Sequence, residues 1–358
     1  MKAVGLLKKG AVLGGVYLGM FLLVFYSGEL SQGIKNGLNA AFNLILPSMF
    51  IFMIFSNALM ASAAAPIAAR PFRFLARHVF RIADSDATIV LLSLVGGYPV
   101  GAKLLADSVR QGAMSPRTAA RMLAFCVNCG PAFLISGVGA NLFGSLRVGV
   151  ILYLSQIMAC LAVGFLSSRG VKRENSAAVQ RPCESGSVLL VNAVNDAARA
   201  MAVICAFVVA FSALLPVVTL LLDRLSPAVS LIARGLLEVT TGCQSLAAPA
   251  GMDPLLLAAL FTGFGGICVV LQLCAMLRGS GIPMLRFFLW RVPYVLVSMG
   301  VTAGLARLLP GATPAMSWNR ELPKELYSVS PAATIFLALL CVMLLFFSGK
   351  SARMKKGG

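Results

Sequence analysis

Apolar residues in this chain come in long runs, parted by short basic or polar stretches. A bilayer core of about 30 Å takes about 20 apolar residues of α-helix. By that measure eight runs read as spans: 10–27, 40–62, 122–144, 148–167, 200–222, 254–277, 287–309 and 331–348. Two further apolar stretches, 87–108 and 228–249, are interrupted. In the first, Gly96, Gly97, Pro99 and Gly101 break a run too short to cross twice. In the second, Glu238, Thr240, Thr241 and Gln244 stand where a lipid-facing helix would carry Leu. Irregular backbone at membrane depth costs several kcal/mol per unpaired group unless protein or a water-filled cavity covers it. Each stretch therefore predicts a re-entrant hairpin with its tip at the protein centre. The third and sixth spans also break midway, at Phe125–Pro131 with Asn128, Gly130 and Pro131, and at Phe261–Gly266 with Thr262, Gly263, Gly265 and Gly266.

The same order of elements occurs twice. Asn36 and Asn39 before the second span answer to Asn192 and Asn195 before the fifth; Phe55-Ser56 answers to Phe211-Ser212; Gly101 answers to Gly242, and Phe125 and Gly130 to Phe261 and Gly266. Each unit reads as span, hairpin, span, span. Three crossings is an odd number, so the second unit is expected upside down relative to the first. The expected organisation is an N-terminal span (1–34), a first repeat (35–167, hairpin 87–108) and a linker (168–186). A second, inverted repeat (187–309, hairpin 228–249), an outer loop (310–330) and a C-terminal span with a basic tail (331–358) follow. The fold class is an all-α polytopic membrane protein with eight spans and two re-entrant hairpins.

Composition agrees. Of 358 residues 59% are hydrophobic and 12% charged, and mean hydropathy is +0.90. A soluble domain of this length carries about twice that share of charge. The net charge of +18 would suit nucleic acid, but its placement gives another reason. With the N-terminus inside, Lys and Arg in the inner stretches outnumber those in the outer ones about three to one, as membrane insertion favours. Arg121, Arg278, Arg286 and Arg291 are counted on the inner side. Both termini are then cytoplasmic, and no nucleic-acid partner is expected; part of the charge suits anionic lipid headgroups. The first run, following Lys2, Lys8 and Lys9, is read as an uncleaved span and not as a signal peptide. The nine cysteines sit mostly in apolar runs and do not suggest a disulfide framework.

Candidate chemistry concentrates at the interruptions. Tyr98, Pro99, Gly101, Lys103, Asn128, Gly130, Glu238, Thr240, Thr241, Gln244, Thr262 and Gly265 form the expected solute-binding set. Half-helix N-termini would hold anionic groups and the amides and hydroxyls would orient the solute. Glu238 is the candidate for coupling to H⁺ or Na⁺; its neighbour at one turn is Arg234, while Lys103 has Asp107 at the same spacing. Asp196 and Arg199 read as an interfacial pair. Cys126-x-x-Cys129 with Cys268 leaves divalent-metal passage as a minor alternative, and no resident metal or cofactor is expected. No nucleophile set, metal-binding histidine pair, Walker loop or dinucleotide glycine pattern stands in a supporting context, so an enzyme is not expected.

The run Gly97-Tyr-Pro-Val-Gly-Ala-Lys103, then Phe125-Cys-x-Asn-x-Gly-Pro-x-Phe133 and Gly137-x-Gly139, resembles the sporulation integral membrane protein YlbJ family, which carries the nucleoside recognition GATE domain. The resemblance continues through Leu237-Glu-Val-Thr-Thr-Gly242 and Phe261-x-Gly-Phe-Gly-Gly-Ile-Cys268 to Gln272. It implies a fold similar to concentrative nucleoside transporters and a bacterial cytoplasmic membrane. The polar motifs that hold nucleosides in those transporters are absent from Tyr98-Pro99 and only Glu238 could stand for one, so the solute stays open. The expected function is a secondary transporter or permease for a small polar solute. A non-transporting assembly protein for the spore envelope, interacting through its basic inner face or the loop around Trp318, is the alternative. A homo-oligomer is compatible with either.

Overall fold

The computed structural model describes residues 2–62, 67, 70–171, 186–224, 226–247 and 252–308. The predicted outer loop, the span 331–348 and most of the linker 168–186 lie outside the described residues, and every regular element within them is helical. Helix α1 (Lys2–Phe25) bends by 96° into α2 (Ser27–Ala40). A π-helical turn, Ala41–Ile45, joins α2 to α3 (Leu46–Ala61). Pro47 has no N–H for the carbonyl one turn earlier, so the ladder slips there. A short helix α4 (Arg73–His78) precedes α5 (Ala87–Gly96), α6 (Tyr98–Arg110) and α7 (Pro116–Leu123). The Ser115 hydroxyl caps α7 by accepting from Thr118 N at 3.2 Å. Beyond α7 the backbone is irregular to Gly130, then resumes as a π-helix, Ala132–Leu142. Next come α8 (Leu146–Ser168), α9 (Gly186–Leu222), α10 (Pro227–Leu237) and α11 (Val239–Gln244). The last three are α12 (Pro254–Phe264), α13 (Gly266–Leu277) and α14 (Leu285–Leu308).

Among the described residues four stretches are long and apolar enough to cross a bilayer: Leu146–Ser168, Ser187–Leu220, the interrupted Pro254–Leu277, and Leu285–Leu308; the bent pair α1–α2 would make a fifth. Two predicted spans take a different form. The run 40–62 is the second half of a helical stretch that already begins at Ser27, and the run 122–144 is helical only to Leu123 and again from the π-helix.

The direction in which the helices face shows their solvent. On α14, Leu285, Leu289, Val292 and Leu296 are each at least 64% exposed, while Arg291, Tyr294, Ser298 and Thr302 are at most 2% exposed. On α8, Leu146, Val150, Leu154 and Met158 are exposed, while Ser155 and Gln156 are buried. A helix on a water-soluble surface shows the opposite arrangement. Apolar side chains outward and polar ones inward fit a hydrocarbon surround, and the protein is a helical membrane protein.

Between these helices, small residues and polar pairs make the contacts. α9 lies along α2 and α3, and Gly33 and Gly37 let the α2 backbone reach Ser212, Ala213 and Val209. α8 lies along α14 through Gln156 Nε2 to Ser298 Oγ at 3.2 Å and Thr302 Oγ1 to Ser155 Oγ at 2.9 Å. α6 packs on α13. At one end of the bundle, arginines occupy helix C-terminal carbonyls, a favourable place for positive charge. Arg110 Nη2 donates to the carbonyls of Met276 (2.7 Å) and Arg278 (2.8 Å). Arg121, 3% exposed, donates to Phe80 O, Arg81 O and Ser168 Oγ.

Candidate functional site

Both interrupted stretches are helical hairpins. α5 and α6 meet at Gly97, whose φ of +81° and ψ of −175° fall in a region open essentially to glycine. The second leg folds back so that a Cβ at Gly101 would lie 2.9 Å from Ser93 Cβ and collide with the Cys126 carbonyl. α10 and α11 meet at Glu238, and a Cβ at Gly242 would collide with Gly235 on the first leg. Gly101 and Gly242 thus hold the same place, four residues past the break, and let each hairpin close on itself.

Each hairpin tip presses on a broken helix. A Cβ at Gly97 would sit 3.3 Å from Gly130 N, and one at Gly130 would sit 3.3 Å from Gly97 Cα. In the second half, Gly265 (φ +88°) and Gly266 (φ +78°) part α12 from α13. A Cβ at Gly266 would lie 3.2 Å from Leu237 O and 3.3 Å from Val239 N. The two centres are joined in turn. The Tyr98 hydroxyl, at the first tip, donates to the Thr262 carbonyl in the second broken helix. The Tyr98 ring also flanks Gly265, whose Cβ would lie 3.4 Å from Cε1. Four breaks therefore meet in one place.

No family model, no curated protein and no solved structure matches the chain.

Backbone groups freed by the breaks have partners, as burial requires. Arg291 supplies two of them: Nη1 donates to Val127 O at 2.8 Å and Nε to Phe264 O at 2.9 Å. It is 2% exposed, and its guanidinium lies 4.8 Å from the Tyr294 ring centroid, 5.2 Å from Phe287 and 5.9 Å from Tyr98. The expectation that Arg291 belongs with the inner basic charges is corrected: it lies inside the bundle, bound to carbonyls at both broken helices. Asn128 is fully buried, and Tyr294 Oη donates to its Oδ1 at 2.7 Å while lying 2.9 Å from Gln156 Oε1.

Glu238 is 1% exposed and caps α11. Its Oε1 accepts from Thr240 N at 3.0 Å, and its Oε2 from Thr241 N at 2.6 Å and Thr241 Oγ1 at 2.8 Å. Arg234 does not pair with it; Arg234 Nη2 reaches Asp223 Oδ2 at 3.1 Å. The Thr262 hydroxyl turns onto its own helix, donating to Ala258 O at 2.6 Å, so that residue meets Tyr98 through its carbonyl alone. Pro99 occupies the first turn of α6.

Lys103 and Gln244 are not part of this centre as placed. Gln244 ends α11 and is exposed. Lys103 points into a separate polar cavity of about 190 Å³ between α3, α6 and the start of α9, lined among others by Asn57, Gln111, Asn192 and Asp196. There its Nζ pairs with Asp107 at 3.0 Å, as the spacing predicts, and also lies 3.5 Å from Asp196, which the sequence paired with Arg199. Among the described residues no three His, Cys, Asp or Glu side chains form a group able to hold a metal, so Cys126, Cys129 and Cys268 are not gathered into one.

Arg291, Tyr294 and Gln156 are the central residues that the sequence reading passed over. The available signal was the spacing Arg291, Tyr294, Ser298, Thr302, a polar stripe at helical period through an otherwise apolar run.

Proposed function

We propose that the protein is a permease for a small polar solute, held where the four breaks meet. The observation that carries this reading is the convergence of Gly97 on Gly130, of Leu237 and Val239 at the second hairpin tip on Gly266, and of Tyr98 on Thr262 and Gly265. Discontinuous helices at the middle of a membrane protein, contributed by two similarly ordered units, are the common plan of secondary transporters. The matching places of Gly101 and Gly242 support two inverted repeats, as does the pairing of α8 with α14 and of α3 with α9. The resemblance of residues 97–139 and 237–272 to the sporulation YlbJ family supports a bacterial cytoplasmic-membrane setting. Glu238, the buried carboxylate at the centre, is the residue for coupling to H⁺ or Na⁺.

Uptake by proteoliposomes tests the reading. With a panel of nucleosides, amino acids, dicarboxylates and phosphate under Na⁺ or pH gradients, at least one solute accumulates. Asn128→Ala and Glu238→Gln abolish that accumulation while inserting normally. Wild-type uptake by both variants removes this site. A second reading, an assembly protein of the spore envelope, is favoured by the tightness of the centre, where Gly97 and Gly130 touch backbone to backbone. On that reading no solute accumulates, substitutions at the tips leave the spore phenotype intact, and replacement of loop 310–330 removes it.

A further inference from the structure

A guanidinium at the centre of a membrane protein is costly unless an anion or a full set of acceptors meets it. Arg291 has two carbonyl acceptors, and among the described residues it forms no ion pair. Its third nitrogen, Nη2, is buried and has no hydrogen-bond partner. That atom faces the break in the second broken helix, 3.3 Å from where a Cβ of Gly265 would be. Two half-helices begin at the same place: α13, 12 residues long, after Gly265, and α6, 13 residues long, after Gly97. Neither has a side-chain cap, whereas α7, α11 and α12 do. The uncapped first turn of α13 presents free N–H groups and the positive end of the helix dipole; in α6 Pro99 has no N–H and Val100 N donates to Gly97 O at 3.2 Å, so α6 adds mainly the positive end of its dipole. The Glu238 carboxylate is turned to the first turn of α11 and accepts from three donors there.

We propose that the solute carries an oxyanion, a carboxylate or a phosphate, and that Arg291 Nη2 with the first turn of α13 is its binding point, beside the positive end of α6. This rests on the permease reading and gives its substrate class. The carbonyls of Val127 and Phe264 hold the guanidinium plane fixed, leaving Nη2 directed at the break, and the glycines at 265 and 266 keep side chains away from the approach. Because Nη2 is shut off in the present arrangement, the anion enters when the tips part, and its charge then offsets that of the buried guanidinium.

The test is thermal stability of the full-length protein in detergent, at constant ionic strength with chloride as the balancing anion. The probes are inorganic phosphate, succinate and acetate, beside neutral nucleosides and polyols. The expected result is a saturable rise in Tm with one or more oxyanions. In Arg291→Gln that response is lost, and in Arg291→Lys, which keeps the charge but not the fixed fork, the affinity falls at least about ten-fold. The second variant serves where the first does not fold. A wild type indifferent to every oxyanion overturns the proposal whatever the variants do. A response that survives both substitutions overturns it too. Stabilisation by neutral solutes alone overturns the oxyanion while leaving the permease standing, whereas failure of the permease reading shows separately, as absence of any accumulation in proteoliposomes.

Discussion

The Tyr98 hydroxyl donates to the carbonyl of Thr262, 164 residues away in sequence. In an unbroken helix that carbonyl would accept from the N–H of residue 266, but the left-handed turn at Gly265–Gly266 takes the N–H away. A side chain from the first hairpin tip replaces a backbone bond that the second broken helix gives up. Arg291 does the same for Phe264 O in that helix and for Val127 O in the first. The broken centres are thus held open by side chains from outside them, Tyr98 from the first hairpin tip and Arg291 from α14.

Tyr98→Phe tests this dependence. The ring and its packing stay, but a buried carbonyl loses its donor, which costs about 1–3 kcal/mol. Thermal denaturation of the purified variant should show a clear fall in Tm together with reduced uptake. A Tm within error of wild type would mean that water or another donor serves the Thr262 carbonyl.

Gly97→Ala should destabilise more than Gly112→Ala, although both glycines have positive φ, +81° and +71°. At Gly112 a Cβ meets nothing within 4 Å, so only the backbone is strained. At Gly97 the backbone conformation is nearly closed to other residues, at about 1–3 kcal/mol, and the Cβ would also press on Gly130 N at 3.3 Å. Equal loss of stability in the two variants would show that the contact between hairpin tip and broken helix carries no weight.

The tips and breaks were legible in the sequence because Gly and Pro clusters inside an apolar run have few physical explanations. Gly97, Gly130, Glu238 and Gly265 all stand where the chain departs from α-helix. Lys103 was misplaced because a charge six residues past the tip is, on a helix, more than one turn away from it, and the partner Asp196 lies on a distant helix. Arg291 was missed for a related reason. Near the start of a span an arginine reads as an inner-surface charge, and its carbonyl partners, Val127 and Phe264, are accepting groups that every residue owns. Only the fold reveals which carbonyls have lost their own helical N–H.

Glu238→Gln separates the cap from the coupling role. The amide keeps one oxygen for the first turn of α11, so the stability loss stays within about 0.5–2 kcal/mol, the range of a lost helix cap. Uptake driven by a pH or Na⁺ gradient should nevertheless disappear, because the amide carries no charge. Gradient-driven uptake at the wild-type rate in Glu238→Gln would leave Glu238 as a cap alone.

Inverted topology makes a prediction about sidedness that does not depend on the solute. Arg110 binds the carbonyls of Met276 and Arg278, so the turns at Gly112 and Gly279 lie at the same end of the bundle. Gly144 precedes α8 and Arg169 follows it, and α8 is one of the four stretches long enough to cross, so Gly144 lies at the end opposite Arg169. Arg121 connects Ser168 at the end of α8 to the Phe80–Arg81 turn, which precedes the first hairpin. Single cysteines introduced at positions 112, 279 and 144, in a background with the exposed Cys274 replaced, can be labelled in right-side-out and inside-out vesicles with an impermeant maleimide. Positions 112 and 279 should react from one side, the cytoplasmic one if the charge count orients the chain correctly, and position 144 from the other. Reaction of 112 and 279 from opposite sides would remove the inverted repeat, because the first hairpin and the end of α13 could not then share a face.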